Sequence, residues 1–289
     1  MRWRTPDSNP SAREFYQAKT DAIIMRYGPD PIIHYHHGYY PDCRADTTGL
    51  ADPIRERLRD AQERLLDRNI QVLDAHSALD EGKLLDIGCG LGGPAIHWAH
   101  TRQLAVTALT NIADHAMLVR KYAKVNRVSH LVEPVHLDFS TGYPRGAFTA
   151  AVCVESSCYI PRPALFRHAA KVVKPGGVLC VSDLFCTTER GRDLADTLFR
   201  TCMGYAAEYT TAAEQHGFQP AENQIITDKI AETALHVNAW SEEILHQSET
   251  DPALKNDMER SIMRHARMYR AYREGALEYR IMAFVKQCI

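Results

Sequence analysis

The stretch LLDIGCGLGG, Leu84 to Gly93, decides how the rest of the chain reads. Leu84, Leu85 and Ile87 surround one acid, Asp86, in the manner of a short buried strand. Four glycines then follow within the six positions 88–93. Gly88, Gly90 and Gly93 have the G-x-G-x-x-G spacing of a nucleotide-binding turn, in which the backbone approaches a ligand and the next helix offers it N–H groups. A dinucleotide site also wants an acid at the end of the second strand, to accept from ribose hydroxyls. Here that strand, LAVTALT, ends in Thr110 and Asn111 without one. Asp86 instead sets a carboxylate just before the glycines, where it suits a ligand carrying an ammonium group.

Outward from this turn, strand and helix patterns alternate. KLLDIG, LAVTALT, LVEPVHLDF, FTAAVCVE and VLCVSDLF read as strands, separated by the helices GGPAIHWAHTR, IADHAMLVRKYAKV and RPALFRHAAKVV. Strands rich in Val, Leu and Ala between helices imply a parallel sheet covered on both faces, a doubly wound α/β domain. Upstream, Ile54, Leu58, Ala61, Leu65 and Leu66 recur at helical spacing. Downstream, residues 195–218 read as one helix stopped at Gly217, 221–230 as a strand, 231–274 as a long polar helical region, and ALEYRIMAFVK as a closing strand.

Composition narrows the function classes. A formal net charge of -2 gives no electrostatic case for nucleic acid, and no apolar run approaches a membrane span. The start, MRWRTPDSNP, lacks the apolar run of a signal peptide, so a cytoplasmic location is expected. Eight cysteines include no C-x-x-C pair, and several sit in strand-like runs, which suits small buried hydrophobes in a reducing compartment.

LLDIGCGLGG resembles the first motif of class I methyltransferases, which use S-adenosylmethionine. Asp138-Phe139 and the KPGG turn at Lys174–Gly177 agree in type and order. VTALTN resembles the corresponding segment of the tocopherol, sarcosine and cyclopropane-forming subgroup, with His115 where that subgroup commonly has Gln. The flanks HYHHGYYPD (His34–Asp42), ESSCY (Glu155–Tyr159) and YRAYREGALEYRIMAF (Tyr269–Phe284) resemble prenyl C-methyltransferases, those of geranyl diphosphate above all. Their N-E-S-T-x-Y motif is here Val154-Glu155-Ser156-Ser157-Cys158-Tyr159.

The resemblance implies a Rossmann-like, mostly parallel seven-stranded sheet with an antiparallel C-terminal strand. It implies a helical N-terminal segment over 1–81, an S-adenosylmethionine-binding core over 82–230, a helical lid insertion over 231–274 and a terminal strand over 275–289. Tyr40, Asp86, Gly88, Gly90, Thr110, Asn111, His115, Asp138 and Phe139 would hold the cofactor. The implied reaction is methylation of an alkene carbon in an isoprenoid, with a prenyl diphosphate as the first expectation and Mg2+ held through that diphosphate. The metal's protein ligands are unknown from the sequence, and a homo-oligomer is left open.

This chemistry needs a base and a cage. Attack by an alkene on a sulfonium methyl leaves a carbocation that must be stabilised and deprotonated. Glu155 is predicted to do both, with Tyr159 and Tyr39 beside it. Rings such as Tyr35 add cation–π attraction without a lone pair to trap the cation. His34, Tyr35, His36, Arg270 and Arg273 are predicted to face the substrate, the cations serving a diphosphate. Plainer readings stand beside these. Arg270 and Arg273 suit a helix C-terminus. Tyr272 and Tyr279 suit a core, and His34, His36 and His37 lack the paired spacing of a closed zinc site. The alternatives are C-methylation of a prenylated natural product, N- or O-methylation of a small metabolite, and a non-catalytic cofactor-binding protein.

Overall fold

In the computed structural model, which describes residues 10–28, 31–79, 82–246 and 251–288, the LLDI run forms β1 (Lys83–Ile87) at the centre of a sheet. Residues 1–9, which hold most of the chain start read for targeting, lie outside the described residues. The neighbours of β1 are β2 (Ala105–Thr110) and β4 (Phe148–Val154), both parallel to it, with Asp86 level with Ala108 and Val152. Beyond β2 lies β3 (Val132–His136), and beyond β4 lies β5 (Val173–Cys186), again parallel. β7 (Leu277–Lys286) then runs antiparallel between β5 and β6 (Phe218–Ile225). Among the described residues the sheet is seven-stranded, in the order β3-β2-β1-β4-β5-β7-β6.

The period of two in the strands divides the core. Leu84, Val152, Val178 and Cys180 face one apolar layer, while Leu85, Ala151, Leu179 and Val181 face the other. The first layer is closed by α2 (Ala51–His76), α3 (Gly93–Arg102) and α4 (Ala113–Val125). The second is closed by α5 (Arg162–Val172) and α7 (Ala206–Gln215). Ile54, Leu58, Ala61, Leu65 and Leu66 of α2 are all buried, as their spacing requires. Five of the eight cysteines are buried, and all eight are free thiols.

Two stretches differ from their sequence reading. The single helix expected over 195–218 is two, α6 (Glu189–Phe199) and α7. Arg200 takes a left-handed φ of 58°, and the Asp196 carboxylate accepts from Thr201 Oγ1 and the Met203 amide, ending α6. The strand expected over 221–230 begins earlier, at Phe218, and gives way to a helical turn, α8 (Thr227–Ile230), whose Thr227 hydroxyl accepts from the Tyr279 amide of β7.

Three further helices cap the carboxyl ends of the strands: α1 (Pro10–Tyr27), α9 (Glu232–His246) and α10 (Pro252–Arg273). Arg26 joins them, donating to Ser241 Oγ of α9 and Ser261 Oγ of α10, both at 2.7 Å. Trp240, Val237, Ile54 and Leu58 seal α9 to α2. No helix among the described residues is long and apolar enough to cross a membrane.

Leu65, fully buried in α2, tests the packing. Leu65→Ala is expected to lower unfolding free energy by about 2–4 kcal/mol in urea titrations, against less than about 0.5 kcal/mol for Met263→Ala on the exposed face of α10.

Candidate functional site

The order of strands changes direction between β1 and β4, and the loops that leave these two strands meet there. Gly88 has a φ of 79°, and a Cβ on it would stand 2.4 Å from Ser156 Cβ, so only glycine admits the β4 loop this closely. Ser156 Oγ completes the contact by donating to the Ile87 carbonyl. Gly90 also has a positive φ, but its missing side chain faces open space. A cavity of about 770 Å3 opens over this junction, floored by the strand ends and roofed by α1, α9 and α10.

The glycine-loop end of the cavity is polar. Asp86, Gly88, Gly90, Thr110, Asn111, His115, Asp138 and Phe139 all line it. Asp86 is 1% exposed, and its Oδ2 has no hydrogen-bond partner in the chain. Burial pushes its carboxyl up to about 7. A buried, unpaired carboxylate oxygen beside a loop that lacks side chains asks for a cationic or hydroxyl-bearing ligand. His115 is committed in part, because its Nε2 is hydrogen-bonded to Thr20 Oγ1 of α1 at 2.8 Å, and burial lowers its pKa to about 4. Asp138 closes its own turn by accepting from the Ser140 amide and hydroxyl.

At the other end stands Glu155, just past β4 with a left-handed φ of 51°. Three donors converge on its Oε1: the His37 amide at 2.6 Å, His37 Nδ1 at 2.9 Å and the Tyr279 hydroxyl at 3.2 Å. Oε2 takes none of these bonds. The Tyr272 hydroxyl is hydrogen-bonded to His37 Nε2 at 3.0 Å and fixes the ring from behind. Burial would raise the Glu155 carboxyl, but the charge and hydrogen bonds of His37 outweigh it and hold the group below the usual carboxylate range. Asp183, deep in β5, accepts from Ser157 Oγ and the Cys158 amide and so fixes the turn that presents Glu155 and Tyr159.

The wall between the two ends is aromatic. Tyr16 and Tyr159 share a hydroxyl–hydroxyl hydrogen bond of 2.6 Å, and Tyr16 and Tyr27 each pack edge-on against Tyr35. All four line the cavity. Tyr16 and Tyr27 escaped the sequence reading because the apolar residues of α1 are spread around its circumference and mark no inner face.

Five predicted site residues do not reach the cavity. Gly38 brings the backbone against α2, where a Cβ would sit 2.6 Å from Ala61 Cβ. The chain beyond it runs between α2 and α9. There the Tyr39 amide donates to the Ala61 carbonyl and its carbonyl accepts from Arg64 Nε, while the Tyr40 hydroxyl is hydrogen-bonded to His236 Nδ1. His34 turns toward α2 and α3 instead. Arg270 and Arg273 point to solvent in the last turn of α10, because its phase turns Met268, Ala271 and Tyr272 inward. Among the described residues the guanidinium groups at the cavity are Arg13 of α1 and Arg264 of α10, six residues before Arg270. The signal for Arg264 existed only in helix phase, which the polar sequence of α10 obscures. His36 lines the cavity but burial lowers its pKa to about 3, leaving it neutral.

Residues 85–181 match the family model described as a methyltransferase domain. Structurally, geranyl diphosphate C-methyltransferase of Streptomyces coelicolor superposes with a TM-score of 0.74 at 18% identity, covering 99% of this chain and 100% of that one. Residues 85–181 thus match a methyltransferase domain in sequence, and the seven-stranded sheet around them has the class I methyltransferase fold. In sequence the chain is 27% identical over 232 residues to sterol 24-C-methyltransferase of Aspergillus fumigatus, covering 75% of this chain and 56% of that protein. It is 30% identical over 170 residues to 27-O-demethylrifamycin SV methyltransferase of Amycolatopsis mediterranei, covering 58% and 56%. The chain spans about half the length of the curated relatives it matches.

S-adenosylmethionine fits the residues present. Its ammonium group would answer the orphaned Asp86 oxygen, and Gly90 leaves the approach open. Asp86 also predicts a pH effect in the ligand-free protein. A carboxyl raised from 3.8 to about 7 binds a proton in the folded chain that the unfolded chain has lost, so stability falls as pH rises through that window. In Asp86→Asn part of that fall should vanish, read as a smaller change in urea midpoint between pH 4.5 and 7.5, roughly the two ends of that window. Asp183, pushed up to about 6, acts in the same sense in both proteins and cancels in the comparison.

Proposed function

We propose that the chain is an S-adenosylmethionine-dependent C-methyltransferase whose acceptor is an uncharged, isoprenoid-type alkene. The observation that carries this reading is Glu155: an ionised carboxylate with one uncommitted oxygen, at the aromatic end of a cavity whose other end suits the cofactor. The sterol 24-C-methyltransferase relative supports methyl transfer to carbon.

When bound, S-adenosylmethionine supplies an electrophilic methyl group on a sulfonium. Asp86 and the Gly88–Gly90 backbone would hold and orient it. The acceptor's π electrons would form the new C–C bond as the sulfur–methyl bond breaks, its electron pair staying on sulfur in a neutral thioether, and positive charge would be left on the neighbouring carbon. Glu155 faces that charge. At an effective dielectric near 20, a carboxylate about 4 Å from a cation is worth about 4 kcal/mol, against about 1–2 kcal/mol for a desolvated aromatic face. Glu155 therefore dominates, and Tyr16, Tyr35 and Tyr159 exclude water and add to it. Its Oε2 takes the proton from the carbon next to the cation as the double bond re-forms. A carbocation is so strong an acid that a carboxylate held below its usual range still suffices as the base.

Charge argues against a free diphosphate. Away from the cofactor's Asp86, the cavity is lined by Glu14, Asp138 and Glu155 and by the guanidinium groups of Arg13 and Arg264, while burial lowers the pKa of both His36 and His265 to about 3. With Arg270 and Arg273 in solvent, a multiply charged diphosphate finds few direct cationic partners, and an uncharged acceptor suits the lining better. A Mg2+ brought with a diphosphate would have to be held by these carboxylates. No step passes through the metal.

A second reading, O-methylation of a hydroxyl, is favoured by one feature. Glu155 holds the cavity-lining His37 as a carboxylate holds the imidazole of a general base, with Tyr272 giving up Nε2 to the substrate hydroxyl, and the rifamycin methyltransferase is a relative.

Methyl-labelled S-adenosylmethionine incubated with prenyl alcohols, a triterpene alkene and the matching prenyl diphosphates separates these readings. Label is expected on carbon in the uncharged alkenes, with little or none in the diphosphates. Glu155→Gln is expected to lower kcat by about 100-fold or more with cofactor binding retained. Label on the diphosphates alone would refute the uncharged acceptor, and label on oxygen would move the assignment to the second reading.

A further inference from the structure

The histidines of HYHH do not act as one set. His36 and His37 line the cavity, whereas His34 is 2% exposed and lies on the far side of the segment, between α2 and α3. Neither of its ring nitrogens has a hydrogen-bond partner. Its Nδ1 faces Gly93, where a Cβ would come within 2.9 Å. Its Nε2 stands 3.6 Å from Glu63 Oε1, beyond hydrogen-bond range. From the other side of the same gap, His97 of α3 brings Nδ1 to 4.0 Å from Glu63 Oε2. One ligating atom from each of His34, Glu63 and His97 lies within 4.8 Å of the other two.

We propose that His34, Glu63 and His97 form a zinc site that clips the HYHH segment to α2 and α3. Two imidazoles and a carboxylate are a donor set that zinc accepts, with water in the fourth position. Tetrahedral ligands about 2.0–2.1 Å from the ion stand about 3.3 Å apart, so the three ligating atoms, now within 4.8 Å of one another, must draw in by up to about 1.5 Å through side-chain rotation. Glu63 is partly exposed and gives the ion a path from solvent.

The tautomers are already those of a ligand set. Asp67, one turn along α2 from Glu63, accepts from His97 Nε2 at 3.0 Å. That bond places the proton on Nε2 and leaves the Nδ1 lone pair toward Glu63. A carboxylate on the outer nitrogen is also what orients a zinc-bound histidine and raises its basicity. A simple His34–Glu63 pair stands 3.6 Å apart, outside hydrogen-bond range, and does not engage His97 Nδ1, 4.0 Å from the same carboxylate.

The test uses the full chain without a histidine tag, stripped with a chelator and then titrated with Zn2+ in competition with a colorimetric zinc indicator. One zinc per chain is expected, with a rise in Tm on its addition. Glu63→Gln changes a half-exposed side chain on a well-packed helix, so its fold is checked by circular dichroism. It is expected to bind at least about 100-fold more weakly and to lose the Tm response. Asp67→Asn, at a surface position, is expected to bind about 10–100-fold more weakly. Wild-type protein that takes up no zinc, or Glu63→Gln that binds zinc as tightly as wild type, would overturn the site and leave an ion pair only. These readouts are independent of methyl transfer.

Discussion

His37 gives both its amide and its ring N–H to a single oxygen of Glu155, and the rest of the site is arranged around that pair. A carboxylate this far from water would ordinarily take up a proton. His37, steadied by Tyr272 of α10 and joined by Tyr279 of β7, keeps it charged. The N-terminal segment and the last strand thus meet at one atom at the end of a central strand, with the last helix behind them on the far nitrogen of His37. The cap and the sheet are joined at the place where chemistry would occur.

Sheet order supplies the second constraint. Because β1 and β4 are neighbours and both run the same way, their outgoing loops must share one space. Gly88 and Ser156 make that possible by direct contact of backbone and side chain. The glycine loop then opens to one side, the Glu155 turn to the other, and the aromatic wall of α1 and the HYHH segment closes the gap. Asp183 contributes from below, trading its own burial for bonds that hold the turn rigid.

What could be read from the sequence was what local pattern determines. The glycine loop, the acid before it and the alternating strands depend on residues adjacent in the chain, and they lie where their spacing puts them. The α2 stripe did so as well, since a single face of Ile, Leu and Ala leaves one packing direction. Tyr39 and Tyr40 could not be placed, because the close approach allowed by Gly38 is a property of Ala61, distant in sequence. The α10 arginines failed on phase: in a helix with charges on several sides, a shift of a few positions separates Arg264 in the cavity from Arg270 in solvent. His37 drew attention as a metal candidate, while its real partner, Glu155, is 118 positions away. The break after α6 was hidden because Asp196 and Thr201 end the helix by side-chain bonds that no glycine or proline announces.

Arg26 carries one more consequence. Its guanidinium is almost wholly buried and is satisfied only by serines on two other helices, with Asp257 3.9 Å away. Replacing either serine by an apolar residue would leave part of a buried charge without a partner, which costs several kcal/mol. One buried guanidinium therefore couples the three helices of the roof, and a disturbance at any of them is felt at the other two through the same side chain.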